Sequence, residues 1–255
     1  MLTAAYGSEQ SAAAGTLVRR VATRTFGTYD LGARIRYAAI ERELAALAPA
    51  PPSVLDAGCG RGPLCFAMRR RWRRARIVGV DPDAELIDHC RRLQAATISS
   101  ASPIHFERRA LPADLGERFA LVTCVDVLEH VEDDAAFLAG LAALTDAGGT
   151  LVMHTPAVPK RRYIASFEEQ HDHVRPGYAP ERLTALLGQA GYKNIRLRHT
   201  FGAAGAVAWE GFALARRGRL ISRAALPLWY ALAALDGLSA HVAGNGLLAV
   251  ARKRG

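Results

Sequence analysis

Apolar and polar positions alternate along the middle of this chain with two different periods, which predicts alternating strands and helices. Short apolar runs predict strands at 53–57, 76–80, 103–107, 118–124, 149–155, 193–200 and 245–252. Longer stretches with apolar residues three or four apart predict helices at 63–73, 83–94, 133–145 and 180–190. Strands that alternate with helices form a parallel sheet covered on both faces. The pattern therefore predicts an α/β fold with a doubly wound, mostly parallel sheet.

A separate segment precedes the first predicted strand. Residues 1–15 are small and polar, which is typical of a mobile arm. Helical spacing follows at 16–25 and 33–48, and a proline-rich stretch ends it. We therefore expect an N-terminal arm with helices over 1–48, which caps the ligand site, and a core over 49–200.

An insert separates the last two predicted strands. Residues 201–244 contain the run from Leu226 to Leu235, which is apolar on nearly every face of a helix. Such a run is typical of a buried cap helix, of an apolar wall that contacts a hydrophobic ligand, or of a helix that anchors at a membrane surface. The run is too short for a confident membrane span. We expect a helical insert that forms a cap or a substrate wall, with the last core strand in 245–255. Peripheral membrane contact is the less favoured alternative.

The most informative motif follows the first predicted strand. Asp56 ends the apolar run, and Gly58, Gly60 and Gly62 alternate before Pro63, which fits the first turn of a helix. Glycines allow a sharp turn and close approach to a ligand, so the motif indicates a nucleotide-binding βαβ unit. A carboxylate at Asp56 would repel a pyrophosphate bound at the helix N-terminus but would suit an ammonium group. The loop therefore favours S-adenosylmethionine over NAD.

A second acidic residue supports a nucleotide site. Asp81 ends the second predicted strand about 20 residues beyond the glycine loop, where a carboxylate binds ribose hydroxyls in βαβ units. The alternative is a structural role, in which Asp81 caps the helix that begins near Asp83. The glycine motif upstream favours the ribose interpretation.

Five segments, in order and spacing, resemble the class I S-adenosylmethionine-dependent methyltransferases. They are VLDAGCGRG at 54–62, VGVD at 78–81, FALVTCVDVLEHV at 119–131, AGGTLVMHT at 147–155, and 180–195, which begins PERL and ends AGYKNI. The resemblance covers residues 50–200. It implies a Rossmann-like sheet of seven strands with an antiparallel last strand, and S-adenosylmethionine as the cofactor of a small-molecule enzyme.

The resemblance also implies a set of donor-binding residues. They are Asp56, Ala57, Gly58, Cys59, Gly60, Asp81, Pro82, Ala110, Leu111 and Cys124. One position departs from the family, because Arg109 stands where an acidic residue reaches the adenine amino group. We therefore expect backbone groups of Ala110 and Leu111 to bind the adenine edge.

Candidate catalytic residues follow the fourth predicted strand. Spacings of three and four bring Asp126, Glu129 and His130 toward one face of a short helix. His130 is a predicted general base, because imidazole titrates near neutrality and suits a phenol or alcohol acceptor. The alternative is a structural histidine bonded to backbone. Asp126 and Glu129 are predicted to contact the acceptor.

A second candidate set lies just before the helix at 180–190. In relatives, a His-x-Arg segment at this place lines the acceptor side, and here it is His173 and Arg175. His173 is the second predicted catalytic residue, and Arg175 suits a bidentate contact with an acidic acceptor group. His171 and Tyr178 are predicted to bind the acceptor as well.

A metal site is an alternative role for part of this chemistry. Asp126, Glu129 and His130 with a distant histidine are similar to a set that ligates metal in small-RNA 2′-O-methyltransferases, and ubiquinone-pathway O-methyltransferases have a related set. The Glu-His pair is also widespread in relatives thought to need no metal. We therefore predict no metal site.

Charge and cysteine content limit the partners. The net charge of +9 is carried almost wholly by arginine. The stretch from Arg69 to Arg76 fits phosphate binding, or else the solvated C-terminal end of a helix that points away from the ligand edge. We favour the second interpretation and expect no nucleic-acid partner. Four cysteines without metal or disulfide spacing, and no signal-peptide pattern, predict a cytoplasmic protein.

These features favour methyl transfer to a small-molecule acceptor. The apolar insert favours a lipidic, aromatic or glycosidic biosynthetic intermediate, with oxygen as the accepting atom. Motifs of adenine-N6 and cytosine-C5 enzymes do not follow the fourth strand. The alternatives are an RNA methyltransferase, which the charge suggests, and a non-catalytic scaffold that keeps the fold.

Overall fold

Seven strands form one sheet in the computed structural model, which describes residues 30–97, 104–167, 173–217, 224–237 and 241–255. The strands are β1 (Ser53–Ala57), β2 (Arg76–Asp81), β3 (His105–Arg108), β4 (Phe119–Val125), β5 (Thr145–Pro156), β6 (Tyr192–Thr200) and β7 (Gly246–Lys253). Each corresponds to a predicted strand. The predicted arm and first helix, 1–25, lie outside the described residues.

Helices occupy the intervals between the strands. Those of the described residues are α1 (Leu31–Ala45), α2 (Pro63–Arg71), α3 (Ala84–Thr97), α4 (Asp134–Ala143), α5 (Pro180–Gln189), α6 (Ala203–Arg216) and α7 (Leu226–Asp236), with a 3-10 turn at Leu128–His130. The four predicted core helices are all present. The insert between β6 and β7 is helical, as predicted.

The strand order is β3-β2-β1-β4-β5-β7-β6. Parallel ladders join the five strands from β3 to β5, so the predicted doubly wound, mostly parallel sheet is confirmed. The order reverses between β1 and β4, and ligands of such sheets bind at the carboxyl ends of the strands beside this switch point. Ala57 pairs with Val80 on one side and with Cys124 on the other, so three strand ends lie level there.

Strand β5 begins at Thr145, earlier than the alternation of apolar residues predicts. The hydroxyl of Thr145 donates to the carbonyl of Leu141 at 2.7 Å and lies 3.0 Å from the hydroxyl of Tyr192. Gly148, inside this part of the strand, has a φ of +73°. A strand that contains a left-handed glycine does not show regular alternation, which explains the difference.

The described residues divide into two compact units. The sheet unit comprises 45–155, 180–197 and 249–255, and the helical unit comprises the described parts of 1–44, 156–179 and 198–248. The segment after β5 therefore groups with the insert, which the sequence pattern did not reveal.

The helical unit has its own apolar core. It is built from α6, α7 and part of α1, and contains Leu31, Ile35, Phe201, Ala208, Phe212, Tyr230 and Ala233. A Cβ added at Gly211 would lie 2.5 Å from the ring of Trp229, so the two insert helices pack closely. Helix α7 is buried on one face only, because Leu228 and Leu235 are 52% and 56% exposed. Within the described ranges, no helix combines the length and apolar character needed to cross a membrane.

Candidate functional site

The turn after β1 adopts a conformation that favours glycine. Gly58, Gly60 and Gly62 have φ angles of +73°, +55° and +75°, all in the left-handed region. The N–H groups of Gly58 and Cys59 both donate to the carbonyl of Val80 at 2.9 Å. These two hydrogen bonds therefore hold the glycine loop against the end of β2.

Gly58 and Gly60 differ in the space that surrounds them. A Cβ added at Gly58 would lie 2.3 Å from a methyl group of Val127, so the turn after β4 packs directly on the loop. A Cβ added at Gly60 would meet no described heavy atom within 4 Å. Among the described residues, Val127 therefore fills the space beside Gly58, whereas the space beside Gly60 is open.

Asp81 joins the glycine loop to the next helix. One carboxylate oxygen accepts from the N–H of Gly60 at 2.9 Å, and the other accepts from the N–H of Asp83 at 3.0 Å. Asp83, not Asp81, caps α3, since its carboxylate accepts from the N–H of Glu85 at 2.8 Å. A carboxylate has about four lone-pair sites, so Asp81 keeps the capacity to accept from ribose hydroxyls.

Asp56 lies beneath the glycine loop and not at its mouth. Its side chain is 3% exposed, and its carboxylate accepts from Thr123 at 2.7 Å and from the thiol of Cys65 at 3.3 Å. Burial raises the pKa of Asp56 to about 6, although these two hydrogen bonds oppose the shift. The location corrects the expectation of a carboxylate facing an ammonium group, because side chains of a covered parallel sheet are buried on both faces.

Thiols surround the inner side of the glycine loop. The thiol of Cys90 donates to the carbonyl of Gly60 at 3.3 Å. All four cysteines are free and buried. Burial raises the pKa of Cys65 to about 12 and that of Cys124 well above its ordinary range. These thiols therefore stay protonated at neutral pH, and Cys124, predicted beside the methyl group, has its thiol fully buried.

The turn after β3 lies against the end of β2. The N–H of Arg109 donates to the carbonyl of Asp81 at 3.0 Å. Ala110 is exposed and Leu111 is half-buried, while Pro82 is exposed at the end of β2. The segment predicted to bind adenine therefore lies next to the carboxylate predicted to bind ribose.

Asp126 begins the turn after β4 in a strained conformation. Its φ is +51°, a region that costs an L-residue about 1–2 kcal/mol and that aspartate tolerates better than most. Its N–H donates to the carbonyl of His154 at 2.9 Å, and its carboxylate lies 2.5 Å from Nδ1 of the same histidine. Backbone and side chain of Asp126 are thus both held by one residue of β5.

Glu129 is held by the next residue of β5. Its carboxylate accepts from the hydroxyl of Thr155 at 3.1 Å, and its side chain is fully buried. His130 is exposed at the end of the 3-10 turn. A carboxylate oxygen of Glu129 and a ring nitrogen of His130 lie within 4.8 Å, close enough to share a cation. Asp126 and His130 therefore face outward, whereas Glu129 faces the core.

His154 and Thr155 were not among the predicted site residues. In sequence they are two polar residues within the apolar run of β5, at its carboxyl end. The register pairs Val125 with His154, which places His154 beside the start of the turn after β4. Buried polar residues at adjacent strand ends are the signal that could have identified them.

The remaining predicted acceptor residues belong to the helical unit. Arg175 donates to the hydroxyl of Tyr178 at 3.0 Å and lies over its ring at 5.8 Å. Tyr178 is buried, and its N–H donates to the carbonyl of Pro156 at 2.9 Å. His173 is half-buried. His171 lies outside the described residues.

The arginine cluster lies at the C-terminal end of α2, away from the glycine loop at its start. Arg69 is buried and donates to the carbonyls of Trp72 and Arg73, at 3.3 and 2.9 Å. Arg76 pairs with Glu117 at 2.5 Å. Arg69 and Arg76 are thus engaged within the protein, whereas Arg70, Arg73 and Arg74 are exposed.

A family model for a methyltransferase domain matches residues 32–197, well over half of the chain. The chain therefore belongs to the class I S-adenosylmethionine-dependent methyltransferases, as the sequence resemblance indicated.

Two relatives and one solved structure show the range of similarity. Ubiquinone biosynthesis O-methyltransferase of Rhodopseudomonas palustris (strain BisB18) is 36% identical over 112 residues, which are 40% of this chain and 39% of the relative. Its namesake in Xanthomonas axonopodis pv. citri (strain 306) is 32% identical over 165 residues, 60% of this chain and 67% of the relative. The chain thus spans about two fifths of the first relative's length.

The structure of the cyclase SpnF has a TM-score of 0.58 and 18% identity, covering 88% of this chain and 82% of that chain. This likeness concerns the fold alone, and SpnF's name shows that the fold also serves other chemistry.

Proposed function

We propose that this chain transfers a methyl group from S-adenosylmethionine to a hydroxyl oxygen of a small-molecule acceptor. The observation that carries the proposal is the open space beside Gly60, next to a carboxylate of Asp81 that the loop itself fixes. Family membership supports the reaction, and the relatives' names support oxygen as the accepting atom. "Ubiquinone biosynthesis" in those names favours a quinone-related biosynthetic intermediate with an apolar part.

The residues of the sheet unit fit this methyl donor. Gly60 leaves backbone accessible, and Asp81 offers lone pairs to two ribose hydroxyls. Pro82, Ala110 and Leu111 lie beside Asp81 and suit the adenine ring. Asp56 links β1 to β4 through Thr123 and to α2 through Cys65.

The bound donor supplies an activated methyl group on a sulfonium sulfur. The protein then has three tasks: to align the acceptor oxygen with the methyl carbon, to exclude water, and to take up the hydroxyl proton where needed. Alignment alone is worth about 7–11 kcal/mol of the barrier in favourable cases. Residues at the ends of β1, β2 and β4 perform this alignment, since their carboxyl ends lie level.

Acceptor recognition draws on two sets of residues in this proposal. Asp126, Glu129 and His130 follow β4, and His171, His173, Arg175 and Tyr178 precede α5. The pairing of Arg175 with Tyr178 supports a fixed guanidinium that suits an acidic acceptor group. The names of the relatives support a small-molecule acceptor over RNA. Free cysteines support a reducing, cytoplasmic location.

Methyl transfer can be tested while the acceptor is still unidentified. Purified protein is incubated with a metabolite extract and S-adenosylmethionine carrying a deuterated methyl group, and mass spectrometry records which compounds gain the label. We expect one or a few labelled phenols or alcohols. Asp81→Ala is expected to lower labelling more than about 100-fold, since its carboxylate serves both loop and ligand.

A matched control separates donor binding from general damage. Asp88 is an exposed aspartate on α3, paired only loosely with Arg91 at 3.5 Å. Asp88→Ala is expected to leave labelling within about twofold of wild type. No labelled compound from any extract, with folded protein, would contradict the proposed function.

A further inference from the structure

We propose that Asp126 is the group that takes up the acceptor's hydroxyl proton, and that His154 is the residue that positions it. The inference rests on the proposed function, which it deepens by naming the proton acceptor. It gives Asp126 the general-base role that the sequence pattern predicted for His130, and it leaves His173 as a predicted catalytic residue. It requires an acceptor whose hydroxyl still carries its proton when it binds.

Asp126 and His154 form a close pair in which only the carboxylate is partly exposed. The Asp126 carboxylate and Nδ1 of His154 are 2.5 Å apart, and the His154 side chain is 2% exposed while that of Asp126 is 21% exposed. The imidazole thus lies behind the carboxylate, and the carboxylate faces outward. An imidazole that donates from Nδ1 holds the carboxylate at one of its lone-pair sites and fixes its direction.

Asp126 lies close to the glycine loop. Its neighbour Val127 contacts Gly58, the first glycine of the donor loop. Two residues before it, Cys124 pairs with Ala57 at the end of β1. Asp126 therefore lies at the carboxyl edge of the sheet, beside the loop that fits the donor, where an acceptor oxygen must approach the methyl group.

The backbone of Asp126 adopts a left-handed conformation. A φ of +51° is held there by the N–H bond to the carbonyl of His154. Strained residues persist where the surroundings over-determine them, and they cluster at functional sites. The strain aims the side chain of Asp126 toward the same histidine that holds its backbone, so its direction is fixed before a ligand binds.

The two other predicted residues after β4 provide a contrast. Glu129 is fully buried and accepts from Thr155, so its carboxylate is less accessible than that of Asp126. His130 is exposed at the end of the 3-10 turn, where its backbone N–H donates to the carbonyl of Val127 at 2.9 Å. Asp126 combines partial exposure with a buried partner on β5, and this combination suits proton uptake at a fixed position.

The proton balance of the step is simple. The acceptor oxygen forms a bond to the methyl carbon as the carbon–sulfur bond breaks, and the electron pair of that bond stays on sulfur. The hydroxyl proton moves to a carboxylate oxygen of Asp126, and then to water after the product leaves. His154 donates from Nδ1 throughout, so it changes the orientation and proton affinity of the carboxylate without reacting itself.

The test compares two phenolic probes with different acidity. Catechol binds with its proton, whereas 4-nitrocatechol is already ionised at mildly alkaline pH and needs no base. With S-adenosylmethionine as donor, Asp126→Asn is expected to lower turnover of catechol about 100-fold and that of 4-nitrocatechol less than about fivefold. Asparagine tolerates the left-handed conformation, so the variant keeps the fold.

The positioning role of His154 has its own variants. His154→Ala is expected to lower catechol turnover about tenfold with little change in KM. His154→Asn keeps an N–H donor near the position of Nδ1 and is expected to recover most of the loss. Glu132→Gln, an exposed carboxylate in the same loop, is the matched control and is expected to match wild type.

Different results would overturn the proton-acceptor role of Asp126 and the proposed function. Equal loss on both probes in Asp126→Asn, or activity that chelation abolishes and Mg²⁺ restores, would overturn the proton-acceptor role. Titration with S-adenosylhomocysteine checks the donor site independently of the acceptor. Failure of the wild type to bind S-adenosylhomocysteine would overturn the proposed function, whereas binding without turnover of either catechol would overturn the phenolic proton transfer alone.

Discussion

The backbone N–H of Gly60 donates to a carboxylate oxygen of Asp81 at 2.9 Å, so the turn after β1 and the end of β2 form one structure. The residue that suits ribose hydroxyls is thus the residue that shapes the loop beside them. Removal of the Asp81 carboxylate therefore affects the donor site in two ways. It removes a contact with the ligand, and it removes the hydrogen bond that holds the glycine loop.

Alanine substitutions of Gly58 and Gly60 are expected to have different effects. Gly58→Ala places a Cβ 2.3 Å from Val127 and is expected to lower the free energy of unfolding by about 3 kcal/mol. Gly60→Ala has only the cost of its left-handed backbone, about 1 kcal/mol, but fills space that the ligand needs. Urea unfolding and titration with S-adenosylhomocysteine measure the two effects.

The Gly60→Ala variant tests whether the donor binds beside Gly60. We expect affinity for S-adenosylhomocysteine to fall at least about tenfold in Gly60→Ala, with stability nearly kept. Unchanged affinity in Gly60→Ala would mean that the open side of the loop does not face the ligand.

The buried carboxylate of Asp56 gives stability a specific pH dependence. Its pKa rises from 3.8 to about 6 on folding, so between these values the folded state holds a proton that the unfolded state has lost. Its contribution therefore favours the folded state at low pH and is lost as pH rises through about 6. The stability of the wild type relative to Asp56→Asn is expected to fall by about 2 to 3 kcal/mol between about pH 4 and pH 7. A difference that grows over this range would contradict a carboxylate buried beneath the loop.

The thiols are expected to be inert in the folded protein. All four cysteines are buried, and the raised pKa of Cys65 and Cys124 removes the thiolate that reagents attack. Ellman's reagent is expected to detect no thiol within minutes under native conditions and four after unfolding in guanidinium chloride. Rapid reaction of one thiol in native protein would show that the interior of the glycine loop is open.

The insert helices are expected to depend on close packing. Gly211→Ala places a Cβ 2.5 Å from the ring of Trp229 and is expected to lower the free energy of unfolding by about 2 kcal/mol. Gly188→Ala is the matched control, since a Cβ there meets no described atom within 4 Å and favours helix α5 by about 0.5–1 kcal/mol. Equal stability of the two variants in urea unfolding would contradict the close packing of α6 on α7.

Much of the fold was visible in the sequence because strands and helices differ in hydrophobic period. The glycine loop and Asp81 were found for a similar reason, since positive φ angles and a carboxylate at a strand end leave local signatures. Strand β5 was predicted too short, because Gly148 interrupts the alternation at its start.

The parts that the sequence missed depend on contacts between distant residues. The carboxylate of Asp56 bonds to Thr123, which is 67 positions away in sequence, and to Cys65 on the following helix. His154 becomes a partner of Asp126 only through the register of β4 and β5. Local patterns identify which residues carry chemistry, whereas the direction of a side chain requires the assembled sheet.

The central claim is that the glycine loop and Asp81 form a working donor site. The most direct measurement is calorimetric titration of the purified protein, shown to be folded and free of retained ligand, with S-adenosylhomocysteine. The account predicts saturable one-to-one binding that is lost in Asp81→Ala and kept in Asp88→Ala. No binding by the folded wild-type protein, or equal binding by Asp81→Ala, would contradict it.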